Sequence, residues 1–409
     1  MLLTTAYAFN SMDRGIISII GQPIKVELRL SDTQLGLLGG TAFAALYALG
    51  GIPIARLAER FNRVSIITAA LVIWSTLTAL CGLATNFVQL LVSRAGVGIA
   101  ESGCTPPAHS LLSDYFSPTQ RTSALSVYSS GISAGYILAA VAGGYTAEHF
   151  GWRTACALVG LPGVILAAVL RLTVREPARV AAPRLSISGE LRAMRAVAQT
   201  LIRNRPVLNM ILGVTIGAFA NYGFYAFAPL YFNRAFGLDY GASGIIAALT
   251  GGVAVGVGIV AGGYLADRLG SRSARWYAGV PAIGTLVATP LYLLTALQQD
   301  WRWAAIILAG AGFFQYASLG PTFGAVQNAV TTGQRATATA LLYIFLNVVA
   351  LGGGPLFTGW AIDRFVAGGA ALPLATRNGL LVLLVFYAWA SLHYFRAAFT
   401  ASSVQSDSI

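Results

Sequence analysis

Four ionisable residues stand inside runs that are otherwise apolar: Asp13 and Arg14 near the start of the chain, and Arg94 and Glu101 further along. A charge at the centre of a helix in lipid costs about 2.5–3.5 kcal/mol on insertion scales. Such residues are functional candidates by default, and they turn toward a bundle interior or a watery cavity. Arg94 and Glu101 are seven residues apart, which sets them on one helical face. Asp13 and Arg14 are neighbours, and successive residues on a helix do not face each other, so each needs a partner from elsewhere. The economical arrangement places Asp13 near Glu101 and lets Arg14 reach into a cavity. Two carboxylates close together in a low dielectric resist double ionisation, so Asp13 and Glu101 can take up and release a proton. Arg14 stays charged and offers a planar fork to a phosphate or carboxylate. The chemistry this predicts is proton-coupled exchange, with H⁺ as the coupling ion and no cofactor. The competing reading is a buried ion-pair network that only fixes helix packing; for Arg94 the two readings stand level.

Other polar residues within apolar runs give less. His109 titrates near neutrality when unperturbed, although a lone His in such a place is more often a satisfied interior residue. Pro106 and Pro107 remove two backbone donors and predict a kink. Asn221, Tyr222 and Tyr225, and later Gln315 and Tyr316, mix aromatic with polar groups. A wall of this kind suits a ligand with an apolar tail and a polar head, whereas the alternative is ordinary aromatic packing.

The elements that must hold these side chains are membrane helices. Of 409 residues, 56% are hydrophobic and 10% charged, with mean hydropathy +0.70. A soluble domain carries roughly 25% charged residues, so the solvent of this surface is a bilayer. Hydropathy predicts twelve spans near 2–21, 33–57, 64–84, 87–115, 120–146 and 153–173, then 206–234, 241–268, 275–298, 302–329, 335–362 and 376–398. Asp32 is the expected N-cap of the second span, and Pro206 suits the first turn of the seventh. The domains expected are two six-helix bundles, 1–173 and 206–398, a linker over 174–205, and a tail over 399–409.

Charge orients the chain. The net charge is +12, and its Arg residues fall in short loops, which fits a membrane protein better than a nucleic-acid partner. Arg56, Arg60 and Arg63 flank one loop, Arg268, Arg272 and Arg275 flank its counterpart, and the linker is rich in Arg. Loops on the other side are close to neutral: Lys25 and Arg29 offset Glu27 and Asp32, and Arg234 offsets Asp239. The positive-inside rule then sets both termini and the linker in the cytoplasm. Within the linker, 187–202 is amphipathic and could lie on anionic lipid; a plain tether is the alternative. The first segment lacks the basic n-region of a signal peptide, and because the chain starts almost inside a helix, a short preceding tail is expected. Compact loops suggest a bacterial inner membrane.

The halves echo one another. Leu57-Ala58-Glu59-Arg60 returns as Leu265-Ala266-Asp267-Arg268, and Gln120-Arg121-Thr122-Ser123-Ala124 as Gln334-Arg335-Ala336-Thr337-Ala338. Parallel six-helix repeats are the arrangement of alternating-access carriers, with a substrate site between them at mid-membrane. Glu59, Arg60, Asp114 and Arg121 in the first half, and Asp267, Arg268 and Arg335 in the second, are expected to form a cytoplasmic ion-paired gate that opens as the halves rock.

The loop Gly263-Tyr-Leu-Ala-Asp267-Arg268-Leu-Gly270-Ser-Arg272 and its first-half copy Ala55-Arg-Leu-Ala-Glu59-Arg60-Phe-Asn62-Arg63 resemble a cytoplasmic signature of the major facilitator superfamily. Arg94 with Gly96 and Gly98 resembles a second. Asn10-Ser-Met-Asp13-Arg14, Glu59-Arg60-Phe-Asn62-Arg63 and Arg94-Ala-Gly-Val-Gly98-Ile-Ala-Glu101 together resemble the Spinster branch, whose members move sphingolipids and lysolipids. This implies an all-α fold and a secondary transporter of an amphipathic anionic lipid, with spans one, four, seven and ten lining its cavity. Organic-anion and sugar-acid carriers of the same superfamily share the Asp-Arg pair and are the main alternative. The partners expected are a small amphipathic or organic-anion substrate and membrane lipids, with no nucleic acid, and the carrier is expected to be a monomer. No Walker loop, metal-ligand cluster or nucleophile constellation is recognisable, so an enzyme or a primary pump is not expected. A channel is a further alternative. Cys81, Cys104 and Cys156 follow no disulfide or metal spacing and read as packing residues.

Overall fold

The computed structural model describes residues 1–117, 120–177, 187–331 and 334–406, apart from the side chains of 52, 55, 56, 59, 60, 121–123, 126, 187, 188, 190, 191, 336 and 401–406. Among the described residues all regular structure is helical. The chain runs through α1 (Leu2–Leu28), α2 (Asp32–Gly36), α3 (Ala42–Arg60), α4 (Arg63–Cys81), α5 (Phe87–Glu101), α6 (Thr105–Tyr115), α7 (Arg121–Ser129), α8 (Gly131–Leu138) and α9 (Gly144–Thr173). After the linker helix α10 (Ile187–Arg203) come α11 (Arg205–Phe236), α12 (Tyr240–Ala247), α13 (Val255–Gly270), α14 (Trp276–Leu297) and α15 (Trp301–Tyr316). The chain ends with α16 (Leu319–Asn328), α17 (Arg335–Ile344), α18 (Gly352–Ala367), α19 (Leu372–Val382) and α20 (Leu384–Ser406). Wider π turns join α2 to α3 (Leu37–Thr41), α8 to α9 (Ala139–Gly143), α12 to α13 (Ala248–Ala254) and α17 to α18 (Phe345–Leu351).

Eight helical segments among the described residues are long and apolar enough to cross a membrane. One of them, Val127–Thr173, is 47 residues long and bends at Gly151 (φ 83°, ψ 158°). That backbone is open to glycine and strained for other residues, and the expected fifth and sixth spans meet there. Outside these eight lie α1, the α2–α3 run and the α5–α6 run. The first and last of them hold the four intramembrane charges.

Local sequence explains the breaks. The expected fourth span is two helices: α5 stops at Glu101, and Pro106 and Pro107 sit in the first turn of α6. There their missing N–H groups cost nothing. The N-cap at the second span is Ser31, not Asp32; Ser31 Oγ accepts from Gln34 N (3.1 Å) and Gln34 Oε1 accepts from Ser31 N (2.9 Å). The Asp32 side chain is thereby left for other partners. Pro206 lies in the first turn of α11, as the sequence suggests.

The apolar core is forked. At the end away from the linker one cluster joins both parts of the chain, with Ile16, Ile20 and Ile24 in the same core as Phe224, Leu230 and Ile362. Toward the linker side it divides. One branch holds Val64, Ile67, Trp74, Val97 and Leu170, the other Val207, Met210, Val326 and Leu342. Hydrogen bonds between 1–173 and 206–398 follow the same division: among the described residues they run from Thr41 Oγ1 to Gly352 O (2.6 Å) outward to the end away from the linker. The amphipathic helix α10 packs part of its apolar face against the bundle. Val197 and Leu201 are buried in the second branch of the fork, whereas Ile202 is exposed, as an apolar stripe facing the core requires.

Candidate functional site

α1 carries Asn10, Asp13 and Arg14, and the roughly 100° between adjacent helical residues sends the last two to different neighbours. Asp13 turns toward α4 and α5. It accepts from Thr78 Oγ1 (2.6 Å) and forms an ion pair with Arg94 (3.2 Å), whose Nη1 bonds both carboxylate oxygens. All three side chains are buried. Arg14 turns the other way and donates Nε to Glu101 Oε2 (2.7 Å) at the last residue of α5. Its guanidinium carbon lies 4.9 Å from the ring centre of Phe43 and 4.6 Å from that of Tyr47, both on α3. Stacking of this kind contributes about 0.5–2 kcal/mol each.

The structure therefore brings Asp13, Arg14, Arg94 and Glu101 together, but with its own pairing. Asp13 does neighbour Glu101, yet its ion-pair partner is Arg94. Arg14, expected to extend freely into a cavity, is tied to Glu101 and clasped by two rings. Four buried groups on these side chains and on Asn10, one turn before Asp13 on α1, lack a protein partner: Arg14 Nη2, Arg94 Nε, Glu101 Oε1 and the amide of Asn10. A buried polar atom without a partner costs about 1–3 kcal/mol, so a cluster of them marks a place made to receive polar groups.

This cluster opens into the fork of the core. Tyr222 on α11 and Tyr343 on α17 expose more than a third of their surface and lie within electrostatic reach of Arg14, as does Tyr7 on α1. Tyr316 is partly exposed beside Tyr225, with ring centres 6.3 Å apart. The other expected wall residues are interior. Asn221 Oδ1 accepts from both Tyr292 (3.1 Å) and Tyr387 (2.9 Å), whose rings stack at 4.5 Å. Tyr225 and Gln315 are buried. A short amide flanked by tyrosines is satisfied by them, so Asn221 holds helices together instead of lining open space. His109 is exposed on α6, edge-on to Tyr128 (5.3 Å), and is not part of the charge cluster.

On the linker side, Asp114 pairs with Arg63 (2.6 Å), which also binds Glu176 (2.6 Å) and Ser110 (2.8 Å). Asp267, Arg268 and Arg335 are exposed. The side chains of Glu59, Arg60 and Arg121 lie outside the described residues. The three cysteines are free and buried.

Sequence reasoning missed Asn10, Thr78, Phe43, Tyr47, Tyr343 and Arg63. Asn10 carried a usable signal: it lies one helical turn before Asp13 in an apolar run. Nothing in the spacing of the others points to the site.

An all-helical chain with apolar helices of membrane-crossing length and charges buried amid them is a multi-pass integral membrane protein. The pattern of the Major Facilitator Superfamily matches residues 3–355, and the chain belongs to that family. It is 31% identical to an MFS-type efflux pump of Mycolicibacterium smegmatis (strain ATCC 700084 / mc(2)155), over 97% of this chain and 92% of the relative. It is 28% identical to a cis,cis-muconate transport protein of Acinetobacter baylyi (strain ATCC 33305 / BD413 / ADP1), over 90% of this chain and 89% of that one. Its fold matches the crystal structure of a bacterial homologue of the human lysosomal transporter Spinster in an inward-facing, unoccupied conformation. The TM-score is 0.87 at 30% identity, covering 98% of this chain and 96% of that one. The family and these neighbours are transporters, and the chain is a transporter, not an enzyme.

Proposed function

We propose that the protein moves an amphipathic anionic lipid, of the sphingolipid or lysophospholipid class, by proton-coupled alternating access. It does so as twelve membrane crossings in two six-helix bundles, 1–173 and 206–398. The observation that carries this reading is the Arg14–Glu101 pair, reachable from the fork of the core, with Arg14 Nη2 and Glu101 Oε1 both unpartnered. A carboxylate and an anionic headgroup compete for one guanidinium. Protonating Glu101 releases Arg14 to the headgroup, and deprotonation takes it back. Asp13, paired with Arg94 and Thr78 beside it, is the second carboxylate of this proton-handling site. Tyr222, Tyr316 and Tyr343 offer ring surface to an apolar tail.

The basic loops and linker support a cytoplasmic placement for that side, so the core is sealed on its outer face and forked toward the cytoplasm. Asp267, Arg268 and Arg335 then belong to a gate that stands open in this state. Compact loops support a bacterial inner membrane.

A second reading is carriage of a small organic anion, favoured by the muconate-transporting relative. A dicarboxylate needs a cation at each end. Among the described residues, Arg14 is the guanidinium at this place that is not fully buried, since Arg94 is sealed against Asp13. One accessible cation with tyrosines opposite fits a single head with a tail.

The experiment is flux of a labelled lysophospholipid into proteoliposomes, with and without a pH gradient, beside labelled muconate. Saturable lipid flux driven by the gradient supports the first reading. Gradient-driven muconate flux without lipid flux transfers the function to the second.

A further inference from the structure

Two carboxylates at the outer end of the bundle take no part in the charge cluster, and they stand at corresponding places in the two halves. Glu148 lies one turn after Gly144 in α9, and Asp363 one turn after Gly359 in α18. Each reaches into the opposite half and meets the first turn of a helix. Glu148 Oε2 accepts from Tyr240 N (2.8 Å), the first residue of α12. Asp363 accepts from Asp32 N (3.0 Å), Thr33 N (2.8 Å) and Thr33 Oγ1 (2.6 Å), at the start of the continuous run from α2 through its π turn into α3. The match follows the internal repeat: Asp32 and Tyr240 are separated by the same number of residues as Glu59 and Asp267. Glu148 and Asp363 stand one residue further apart than Gln120 and Gln334, which open the same two runs.

The glycines serve the contact. A Cβ at Gly144 would lie 2.6 Å from Tyr240 O, and one at Gly359 would collide with Asp32 O. Only a residue without a side chain lets the backbones approach closely enough for the carboxylate one turn on to reach the N–H groups. Those groups have no acceptor within their own helix and carry the positive end of its dipole, so a carboxylate binds them with charge assistance.

We propose that Glu148 and Asp363 are positioning residues of the transport cycle: a pair of cross-half helix caps that hold the outer gate shut and give way to water when the carrier opens outward. The proposal rests on the reading of the chain as an alternating-access carrier, not on what it carries. The two caps are unequal. Asp363 is partly buried and binds three donors, while Glu148 is exposed and binds one. Asp363 also shares its contact with a second tie, because the Asp32 carboxylate pairs with Arg234 of the other half (2.7 Å) and with Lys25. Arg234 in turn binds Gln22 (2.7 Å) and Thr376 (3.0 Å). Each cap lies on a run that holds a π turn, a feature common where helices rearrange.

The test is the distance between spin labels at V26C and Q299C, exposed positions at the outer ends of opposite halves, read in proteoliposomes without substrate. The native cysteines are buried and stay unlabelled. Asp363→Asn should shift the ratio of separated to closed outer ends about tenfold, Glu148→Gln about threefold, and the double variant about the product of the two. Caps that merely strengthen helices would lower thermal stability and leave the distance distribution at the wild-type position; that result overturns the proposal. Should Asp363→Asn fail to fold, Glu148→Gln at its exposed position carries the test alone, and an unchanged distribution there is equally decisive. Because no substrate is present, a wrong assignment of the cargo leaves this outcome untouched.

Discussion

α1 sends two adjacent charges into two different worlds. Asp13 enters a sealed pocket where Arg94 and Thr78 saturate it, with every member buried. Arg14 meets Glu101 at a margin: each arginine holds an unused nitrogen, but the Arg14 side chain keeps 27% of its surface exposed and that of Arg94 1%. Both are Arg–carboxylate pairs, so residue type does not separate them. Access does. In this state the sealed pair holds helices in place, whereas a reachable pair can exchange its partner for a proton or an anion. The same side-chain chemistry becomes architecture in one pocket and a candidate working site in the other.

The sharpest way to break this comparison is to neutralise the sealed pair. Asp13→Asn leaves Arg94 buried without a counter-charge, and removing one member of a buried pair costs about 3–5 kcal/mol. The expected outcome is a large fall in the thermal midpoint of the detergent-purified protein and a low yield of folded material. A wild-type midpoint would show that Arg94 is held by something other than Asp13, and the division between the two pairs would fail.

Neutralising the reachable pair should do something different. In Glu101→Gln, Arg14 keeps its rings and its partial exposure, so folding should survive with a smaller loss. In the wild type, a falling pH protonates Glu101 and frees Arg14, so apparent affinity for an anionic substrate should rise as pH falls. Linkage limits the slope to about tenfold per pH unit where a single proton is exchanged. In the variant that slope should vanish, with affinity fixed near the low-pH value. Equilibrium binding of a lysophospholipid across pH 5–8 reads this directly; a slope retained in the variant would place the proton elsewhere.

The sequence made the fold and the four charges legible for one reason: in lipid, helices are long and apolar, and every exception is expensive. The pairing among the charges was not legible. Helical geometry shows that Asp13 and Arg14 diverge, but which neighbour each one meets depends on how α3, α4 and α5 pack, and Phe43, Tyr47 and Thr78 look like any other apolar-run residues. The partners of Asn221 were hidden for a related reason. A polar residue amid aromatics has one signature whether it faces open space or, as here, two tyrosine hydroxyls. The cross-half partner of Arg234 was hidden by net-charge counting, which only balanced it against its loop neighbour Asp239. In the structure Asp239 caps α12 through Ala242 N (2.6 Å), and Arg234 reaches Asp32 across the halves.

The smallest expected effect tests whether the rings around Arg14 matter to its reach. Of the two guanidiniums Tyr47 faces only Arg14, with its ring stacked on Phe43 (5.6 Å), whereas Phe43 lies under both, 4.9 Å from Arg14 and 5.6 Å from Arg94. Tyr47→Leu removes one cation–π contact of about 0.5–1 kcal/mol and lets the guanidinium drift from its aligned position. Apparent substrate affinity should drop about two- to fivefold, with the pH slope and the thermal midpoint unmoved, while Tyr47→Phe, which keeps the ring, should match the wild type. Phe43→Leu should add a loss of stability, because that ring is buried against the sealed pair as well. If Tyr47→Leu instead lowered the thermal midpoint as far as Phe43→Leu, the rings would form one packing unit, and the line drawn between the two pairs would run in the wrong place.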